Sequence, residues 1–196
     1  MDSEVIDKLI AQFRKLPGIG AKTAKRFAYT IIENDVKFAK EFSNALIDVK
    51  EKIKFCSICG NYTEQEICQY CSTREPNIIC VVQYPNDIDS FEKINSFNCV
   101  YHCLHGLIDF QKGITPEDLG IEKLVDRVNN AKVEEVILAL DTTPGGEMTK
   151  KYIYRLLKDT GVKITSLATG ISLGSEIEFA DEITLEMALK NRKIED

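Results

Sequence analysis

Apolar residues recur at helical spacing through the first quarter of the chain, with polar residues between them. Side chains three and four positions apart share one face of a helix, and the pattern predicts helices over residues 5–13, 24–32 and 38–53. The first two flank the segment LPGIG at 16–20, where one proline and two glycines stop a helix. The N-terminal segment is therefore predicted to be a helix, a tight hairpin and a second helix, followed by a third.

The pattern changes period after residue 77. Continuous apolar runs of about five residues, typical of strands buried on both faces, alternate with stretches of helical spacing. The predicted strands cover residues 78–82, 100–104, 136–140 and 162–168. The predicted helices cover residues 86–95, 116–129, 147–158 and 184–192. Strands that alternate with helices predict a parallel α/β sheet with helices on both faces.

Polar side chains that follow the strands mark the sheet edge where a site would form. The carboxyl ends of parallel strands meet at one edge of a sheet, and ligands bind outside that edge. Gln83, His105 and Asp141 follow three of the predicted strands. We therefore expect any site of the C-terminal segment to lie near these three residues.

Four cysteines lie between the helical segment and the sheet segment. They form two Cys-x2-Cys pairs, Cys56 with Cys59 and Cys68 with Cys71. Two such pairs a short loop apart can bind one Zn²⁺ tetrahedrally through four thiolates. Gly60 follows the first pair, where the chain needs a residue that tolerates positive φ. Because protein groups fill all four positions, a zinc ion bound here is structural rather than catalytic.

Two disulfides are the alternative for the same four cysteines. Disulfides need an oxidising compartment, and the opening MDSEVIDKLIAQFRK has no basic segment leading into an apolar run with a cleavage site. The other cysteines, Cys80, Cys99 and Cys103, bring the total to an odd seven and lie in apolar strand context. These features favour one zinc ion in a cytoplasmic protein.

Composition and charge indicate the class of protein and where in the chain a charged ligand would bind. The 196 residues are 44% hydrophobic and 29% charged, as in a soluble globular protein, and no window approaches the ~18 apolar residues of a membrane span. The net charge of −6 argues against a protein coated in phosphate-binding groups. Residues 1–54, however, carry 11 basic against 8 acidic side chains, while residues 80–196 carry 13 against 20. A site for a polyanion is therefore expected near the N-terminus.

The segment LPGIG, followed by AKTAKR, resembles the helix-hairpin-helix motif of DNA repair and recombination proteins. The resemblance implies that Gly18 and Gly20 expose backbone N–H groups at the start of the second helix, where the helix dipole also favours a DNA phosphate. Lys22, Lys25 and Arg26 would add contacts to phosphates without reading the base sequence. The alternative is a solvated basic face beside an ordinary helix turn.

The C-terminal segment resembles a Toprim domain. In that family a glutamate after the first strand and an Asp-x-Asp pair after a later strand support Mg²⁺-dependent phosphodiester chemistry. Here Gln83 occupies the first position, and a neutral amide cannot exchange a proton near pH 7. At the second position, Asp141-x-Thr143 keeps only one carboxylate of the pair. We therefore expect a domain with the Toprim fold that does not catalyse phosphodiester chemistry. The alternative is a Mg²⁺-dependent, nuclease-like enzyme that uses Asp141 and Glu147 with displaced ligands.

The order of these three parts along the chain identifies a protein family more specifically than any one part does. A helix-hairpin-helix, a four-cysteine zinc module and a Toprim-like domain within 196 residues resemble the RecR family of bacterial recombination mediators. The segments YHCLHG at 101–106, EVILAL at 135–140 and 170–192 are similar to that family, the last two to its final strands and helix. Gln83 departs from it, since glutamate is usual there, and so does DTTPGGE at 141–147, where NPTVEGE is common. Both departures concern the sheet edge and not the hairpin.

The resemblance implies an α+β protein with three parts. Residues 1–54 would form a helical helix-hairpin-helix DNA-binding subdomain, 55–77 the four-cysteine zinc module, and 78–196 an α/β Toprim-like domain with a mainly parallel sheet and a C-terminal helix. The resemblance also implies a non-catalytic mediator that assembles as a homo-tetramer around a hole wide enough for duplex DNA. Such a protein works with RecO and RecF to load RecA at gaps, in the cytoplasm and associated with the nucleoid.

Overall fold

The chain divides into two compact units, Met1–Ile53 and Lys54–Asp196. A computed structural model describes residues 3–94, 96–192 and 194. The first unit consists of helices and turns in its described part, whereas the second contains the four paired cysteines and a parallel sheet. Across the described residues, no helix combines the length and the apolar character needed to span a bilayer.

Three helices form the first unit, as predicted: α1 (Glu4–Phe13), α2 (Ala21–Glu33) and α3 (Val36–Lys52). Ala24 and Ala28 are fully buried and allow α1 and α2 to approach closely. The rings of Phe13 and Phe27 meet edge to face, with 5.6 Å between their centroids. Asp35 caps α3 by accepting a backbone N–H of its first turn at 2.8 Å. The packing of α1 on α2 thus holds the hairpin between them, and the Asp35 cap starts α3.

A short antiparallel ribbon begins the second unit. It pairs β1 (Lys54–Phe55) with β2 (Tyr62–Thr63). Cys56 and Cys59 lie in the turn between these two strands. Cys68 precedes helix α4 (Gln69–Thr73), and Cys71 lies within it. The ribbon and α4 therefore bring the two cysteine pairs together.

Four parallel strands form the main sheet of the second unit. They are β3 (Ile78–Val82), β4 (Val100–Cys103), β5 (Glu135–Ala139) and β6 (Lys163–Ser166), in the order β4-β3-β5-β6. The helices between and after them are α5 (Pro85–Phe91), α6 (Ile121–Asn130), α7 (Pro144–Leu157) and α8 (Glu182–Lys190). The predicted fold class, α+β with a mainly parallel sheet, is confirmed.

Apolar side chains cover both faces of the sheet, as its alternating strands and helices predicted. On one face, Val81 of β3 packs in a cluster with Leu124 of α6 and Ile153 of α7. On the other face, Tyr101 of β4 packs in a cluster with Ile88 of α5. A strand buried on both faces needs no alternation of polar and apolar residues, which explains the continuous apolar runs in the sequence.

The stretch predicted as one helix over 116–129 is two elements. A 3₁₀ turn at Pro116–Leu119 is separated from α6 by Gly120, whose φ is +60°. A left-handed residue cannot continue a right-handed helix, and glycine adopts that conformation without steric cost. The helical spacing of the apolar residues continues across the break, so the pattern alone did not reveal it.

Among the other helices, α7 and α5 show how local residues shift an end away from the prediction. Helix α7 begins three residues early, because the Thr143 side chain accepts the backbone N–H of Gly146 and Pro144 suits the first helical position. Helix α5 ends at Phe91, although its spacing predicted helix as far as residue 95, which lies outside the described residues. Neither difference changes the sheet.

Candidate nucleic-acid interface and zinc centre

The hairpin between α1 and α2 is a tight, exposed turn. Its backbone closes where the N–H of Ile19 donates to the carbonyl of Leu16 at 3.2 Å. Gly18 has a φ of +77°, a conformation that favours glycine. Gly20 is extended, with φ −78° and ψ 170°, and a Cβ atom built on either glycine would meet nothing within 4 Å. Open space therefore surrounds both glycines, so a ligand can approach their backbone.

Helix α2 begins directly after its N-cap residue Gly20, which provides no side-chain cap. The first backbone N–H groups of a helix have no acceptor inside the helix, and those of Ala21, Lys22 and Thr23 stand at this end. The helix dipole adds partial positive charge at the same place. This end of α2 can therefore bind an anion such as a phosphate.

Lys22, Lys25 and Arg26 are exposed on the side of α2 that faces away from buried Ala24 and Ala28. None of the three cations forms an ion pair within the described part of the chain. Lys22 and Arg26 lie one helical turn apart and share a face. The structure thus brings together the five residues predicted to contact DNA, while their contact with DNA remains a prediction.

The four paired cysteines form one cluster. Their sulfur atoms all lie within 4.8 Å of one another, and Cys59 Sγ is 3.5 Å from Cys68 Sγ. A tetrahedral site with Zn–S bonds of about 2.3 Å places its sulfurs about 3.8 Å apart. Gly60, with φ +75°, turns the chain after the first pair, as predicted. The donor set and its geometry therefore fit one Zn²⁺ bound by Cys56, Cys59, Cys68 and Cys71.

Backbone N–H groups and one arginine surround the sulfur atoms of the cluster. The N–H of Cys68 donates to Cys56 Sγ at 3.3 Å, and the N–H of Asn61 donates to Cys59 Sγ at 3.5 Å. Hydrogen bonding from the Cys59 thiol, helped by the charge of Arg127 and opposed by burial, lowers the pKa of Cys71 to about 6. When bound, zinc would hold the two cysteine pairs together, and four thiolates leave it no open coordination position.

Strand β4 fixes the zinc module to the sheet. The N–H of Cys103 donates to the carbonyl of Cys59 at 2.7 Å, and His105 Nε2 lies 2.8 Å from the carbonyl of Gly60. Arg127 of α6 donates to the carbonyl of Tyr101 at 2.6 Å and lies 3.7 Å from Cys71 Sγ. His105 thus has a structural partner, and the zinc module and the sheet share one hydrogen-bond network.

Arg74 forms a second link between the module and the sheet. Its guanidinium makes two 2.7 Å hydrogen bonds to the Glu92 carboxylate and donates to the Cys99 carbonyl at 2.9 Å. It also stacks 4.6 Å from the ring centroid of Tyr70, and the Tyr101 hydroxyl bonds Glu92. The Arg74 hydrogen bonds lower the pKa of the Glu92 carboxyl group. The sequence gives no sign of this link, because Arg74 and Glu92 lie 18 positions apart without a motif around either.

The carboxyl edge of the sheet does not gather a set of acidic ligands. Gln83 uses its backbone carbonyl to accept the N–H of His105 at 2.8 Å. Asp141 is exposed, and Glu147 forms a 2.9 Å ion pair with Lys150. Among the residues that the structure describes, only the four-cysteine cluster brings three or more potential metal ligands together.

The loop from Asp141 to Glu147 has a packing requirement for glycine. A Cβ atom on Gly146 would lie 1.9 Å from the Asp141 carbonyl oxygen, and one on Gly145 would lie 3.0 Å from the Ile108 carbonyl oxygen. A contact of 1.9 Å is impossible without moving the backbone. The DTTPGGE segment is therefore a compact start to α7, and its two glycines serve the fold.

Family comparisons cover nearly the whole chain. The models that match are the helix-hairpin-helix of RecR at residues 6–50, the four-cysteine zinc finger domain of RecR at 53–73, the Toprim domain at 77–168 and the C-terminal part of RecR at 170–193. Together with the sulfur cluster, the zinc finger match shows one structural zinc, so the predicted cofactor is confirmed.

Curated relatives agree along the full length. The chain is 46% identical over 192 residues to "Recombination protein RecR" of Enterococcus faecalis (strain ATCC 700802 / V583), covering 97% of each chain. It is 44% identical over 193 residues to the protein of the same name from Koribacter versatilis (strain Ellin345), again covering 97% of each. These relatives support a role in recombination and repair.

Proposed function

The chain belongs to the RecR family of recombination proteins, and from that premise we propose that it is a non-catalytic, DNA-binding mediator of recombinational repair. The hairpin binds DNA phosphates without reading the base sequence. The protein acts with RecO and RecF to load RecA at gapped DNA, in the cytoplasm at the nucleoid. The structural zinc preserves the fold of the second unit.

The exposed cationic start of α2 is the observation that carries this proposal. Three exposed cations and free backbone N–H groups converge at one helix end whose cap residue is a glycine. A duplex or single strand offers regularly spaced phosphates to such a surface. Since Lys22 and Arg26 carry the charge on one face, they are the first candidates for phosphate contacts.

The sheet edge supports a mediator more than an enzyme. Gln83 offers an amide where the Toprim family uses a glutamate, and Glu147 is already paired with Lys150. Asp141 remains as an exposed carboxylate, and one carboxylate provides little of the oxygen coordination that catalytic Mg²⁺ needs. The relatives' name, a recombination protein, is consistent with this interpretation.

Assembly would strengthen a hairpin that binds weakly by itself. Linked sites raise one another's effective concentration, so four hairpins on a homo-tetramer hold DNA better than one. Helix α3 supports assembly because it buries no side chain in the single chain. Its apolar residues Phe38, Phe42, Leu46 and Val49 are 38–59% exposed. An apolar surface of this kind commonly marks an interface.

DNA binding across a salt series tests the proposal. We compare the wild type with Lys22→Glu/Arg26→Glu and with the matched control Lys93→Glu/Lys132→Glu, which makes the same charge change at two lysines of the second unit that lie outside the hairpin. The hairpin variant should lose about 100-fold in duplex affinity at low salt. Its log–log salt slope should shrink by about 1.8, or 0.9 for each lost phosphate contact.

Assembly size and zinc content are measured on the same samples, so that a folding defect is not mistaken for a binding defect. The control variant should bind as the wild type does. If the hairpin variant binds duplex DNA as well as the control, the hairpin is only a structural turn. If the wild type itself cleaves DNA with Mg²⁺ and Asp141→Ala abolishes cleavage, the non-catalytic assignment is wrong.

A further inference from the structure

A groove of about 490 Å³ runs between α7 and the strand β6 at the sheet edge. Four cations at α7 line its helical wall: Lys150, Lys151, Arg155 and Lys158. Glu147 is the only acidic residue among those that line it in the described part of the chain. The groove lies on the flank of α7 next to the face whose residues, such as Ile153, are buried in the core.

The positive charge of this groove contrasts with its surroundings. Residues 80–196 carry 13 basic against 20 acidic side chains, whereas the charged residues that line the groove have a net charge of +3. Lys150 is held by Glu147 at 2.9 Å, and Lys158 lies 4.0 Å from Asp159. Lys151 and Arg155 are exposed, lie one turn apart and form no ion pair within the described residues.

The groove also presents an aromatic ring and an open strand edge. Tyr154 is 55% exposed and stands among the cations on the groove wall. Ser166 contributes an exposed hydroxyl group from β6. Strand β6 is the last in the order of the described sheet, so its outer backbone N–H and C=O groups have no strand partner there.

From these features we propose that the α7–β6 groove binds a segment of single-stranded DNA. Lys151, Arg155 and Lys158 span about 10 Å along the helix, enough to contact on the order of two or three phosphates. Tyr154 provides a ring on which a base stacks, and stacking requires bases that are not enclosed in a duplex. The inference rests on the proposed function, to which it adds a second DNA contact that distinguishes single strands from duplexes.

The test compares single-stranded and duplex DNA on the full-length protein. We use Lys151→Glu/Arg155→Glu, the hairpin variant Lys22→Glu/Arg26→Glu and the control Lys93→Glu/Lys132→Glu. The probes are an oligothymidine of about 20 nucleotides and a duplex of equal length. The groove variant should lose about tenfold in affinity for oligothymidine, its salt slope should shrink by about 1.4, and its duplex affinity should change little. The hairpin variant should lose affinity for the duplex.

A second pair of measurements locates the strand. Tyr154→Leu keeps an apolar side chain but removes the ring, and should weaken oligothymidine binding by about tenfold while leaving the duplex unaffected. Photo-crosslinking of bromodeoxyuridine-substituted single strands should label the peptide that contains residues 151–158. Zinc content and assembly size should equal those of the wild type in every variant.

The outcomes separate this inference from the proposed function. If the wild type binds duplex DNA through the hairpin but the groove variant binds oligothymidine as the control does, the groove inference is wrong and the mediator proposal stands. Crosslinks confined to the hairpin lead to the same conclusion. If the wild type binds neither probe at low salt, both fail together.

Discussion

The two units of the chain differ in how they bury apolar side chains. Among the described residues of the first unit, only Ala24 and Ala28 are buried. The second unit buries apolar residues on both faces of its sheet, with further buried cysteines at the zinc module. The same kind of amphipathic pattern leads to a core in one unit and to an exposed surface in the other.

Helices α7 and α3 show the difference most directly. The apolar face of α7 packs on the sheet, where Ile153 and Leu157 are fully buried. The apolar face of α3 leaves Phe42 42% exposed and Leu46 59% exposed. A periodic pattern shows that a face is to be covered, but not whether the cover comes from the same chain. We therefore predict that the second unit is stable by itself and that the first gains stability from a partner.

Loss of zinc should have the largest effect and should fall on the second unit. Cys56→Ser, or chelation of the wild type, should remove the roughly one Zn²⁺ per chain and unfold the zinc module. The reason is that the free energy of binding a structural zinc ion, about 10–16 kcal/mol in zinc-finger peptides, also stabilises the fold around it. Metal analysis and thermal unfolding measure the effect. Ser57→Ala in the same turn is the control and should keep its zinc. A well-folded wild type without zinc would contradict the assignment.

A charge on the apolar face of α3 should break assembly next. If this face is buried in an interface, each Phe42 side chain contributes about 1.5–3 kcal/mol to assembly through its burial. Phe42→Glu removes that contribution and places an unpaired charge in the interface, away from water. Light scattering across a concentration series should show smaller species, while the thermal transition of the second unit stays unchanged. Phe110→Glu, at a position 65% exposed in the second unit, is the control. An unchanged mass would show that α3 remains exposed for another reason.

Removal of Arg74 should have an intermediate effect on the second unit. Arg74→Ala removes the two hydrogen bonds that Glu92 accepts from Arg74 and leaves it the bond from Tyr101. The side chains of Arg74 and Glu92 are only 22% exposed. We expect a loss of about 2 kcal/mol in the free energy of unfolding, between the values for exposed and buried pairs. Urea denaturation measures it. Lys52→Ala is the control, because it breaks an exposed ion pair: the side chain of Lys52 is 61% exposed and that of its partner Asp48 is 53% exposed. The free energy of unfolding should therefore fall by less than about 0.5 kcal/mol in this variant.

A change at Gly18 should have the smallest effect and should fall on the first unit. The φ of +77° strains any residue with a Cβ atom, so Gly18→Ala should destabilise the hairpin by about 1 kcal/mol. Gly18→Asn should cost less, because asparagine enters the left-handed region more readily. Hydrogen exchange of the α1 and α2 amides compares the two. Equal protection in Gly18→Ala and wild type would mean that the turn relaxes to another conformation.

Local signals in the sequence predicted much of the fold and the zinc centre. Helices α1 to α3 and the four parallel strands followed from spacing and from apolar runs, because both depend on neighbouring residues. The four cysteines were found because a metal site built from two tight turns has a fixed local spacing. The break at Gly120 was missed because one left-handed residue leaves no periodic signal.

The sequence by itself therefore determined the family, the order of elements, the zinc ligands and the position of the basic hairpin. Only the tertiary structure decided that Arg74 pairs with Glu92 and that β4 is hydrogen-bonded to the zinc module. It alone also decided that cations of α7 and residues of β6 line one groove. It also decided which apolar faces stay exposed in the single chain. The reason is physical: spacing along a chain specifies contacts within one turn or one strand, whereas contacts between distant segments exist only after the elements have packed.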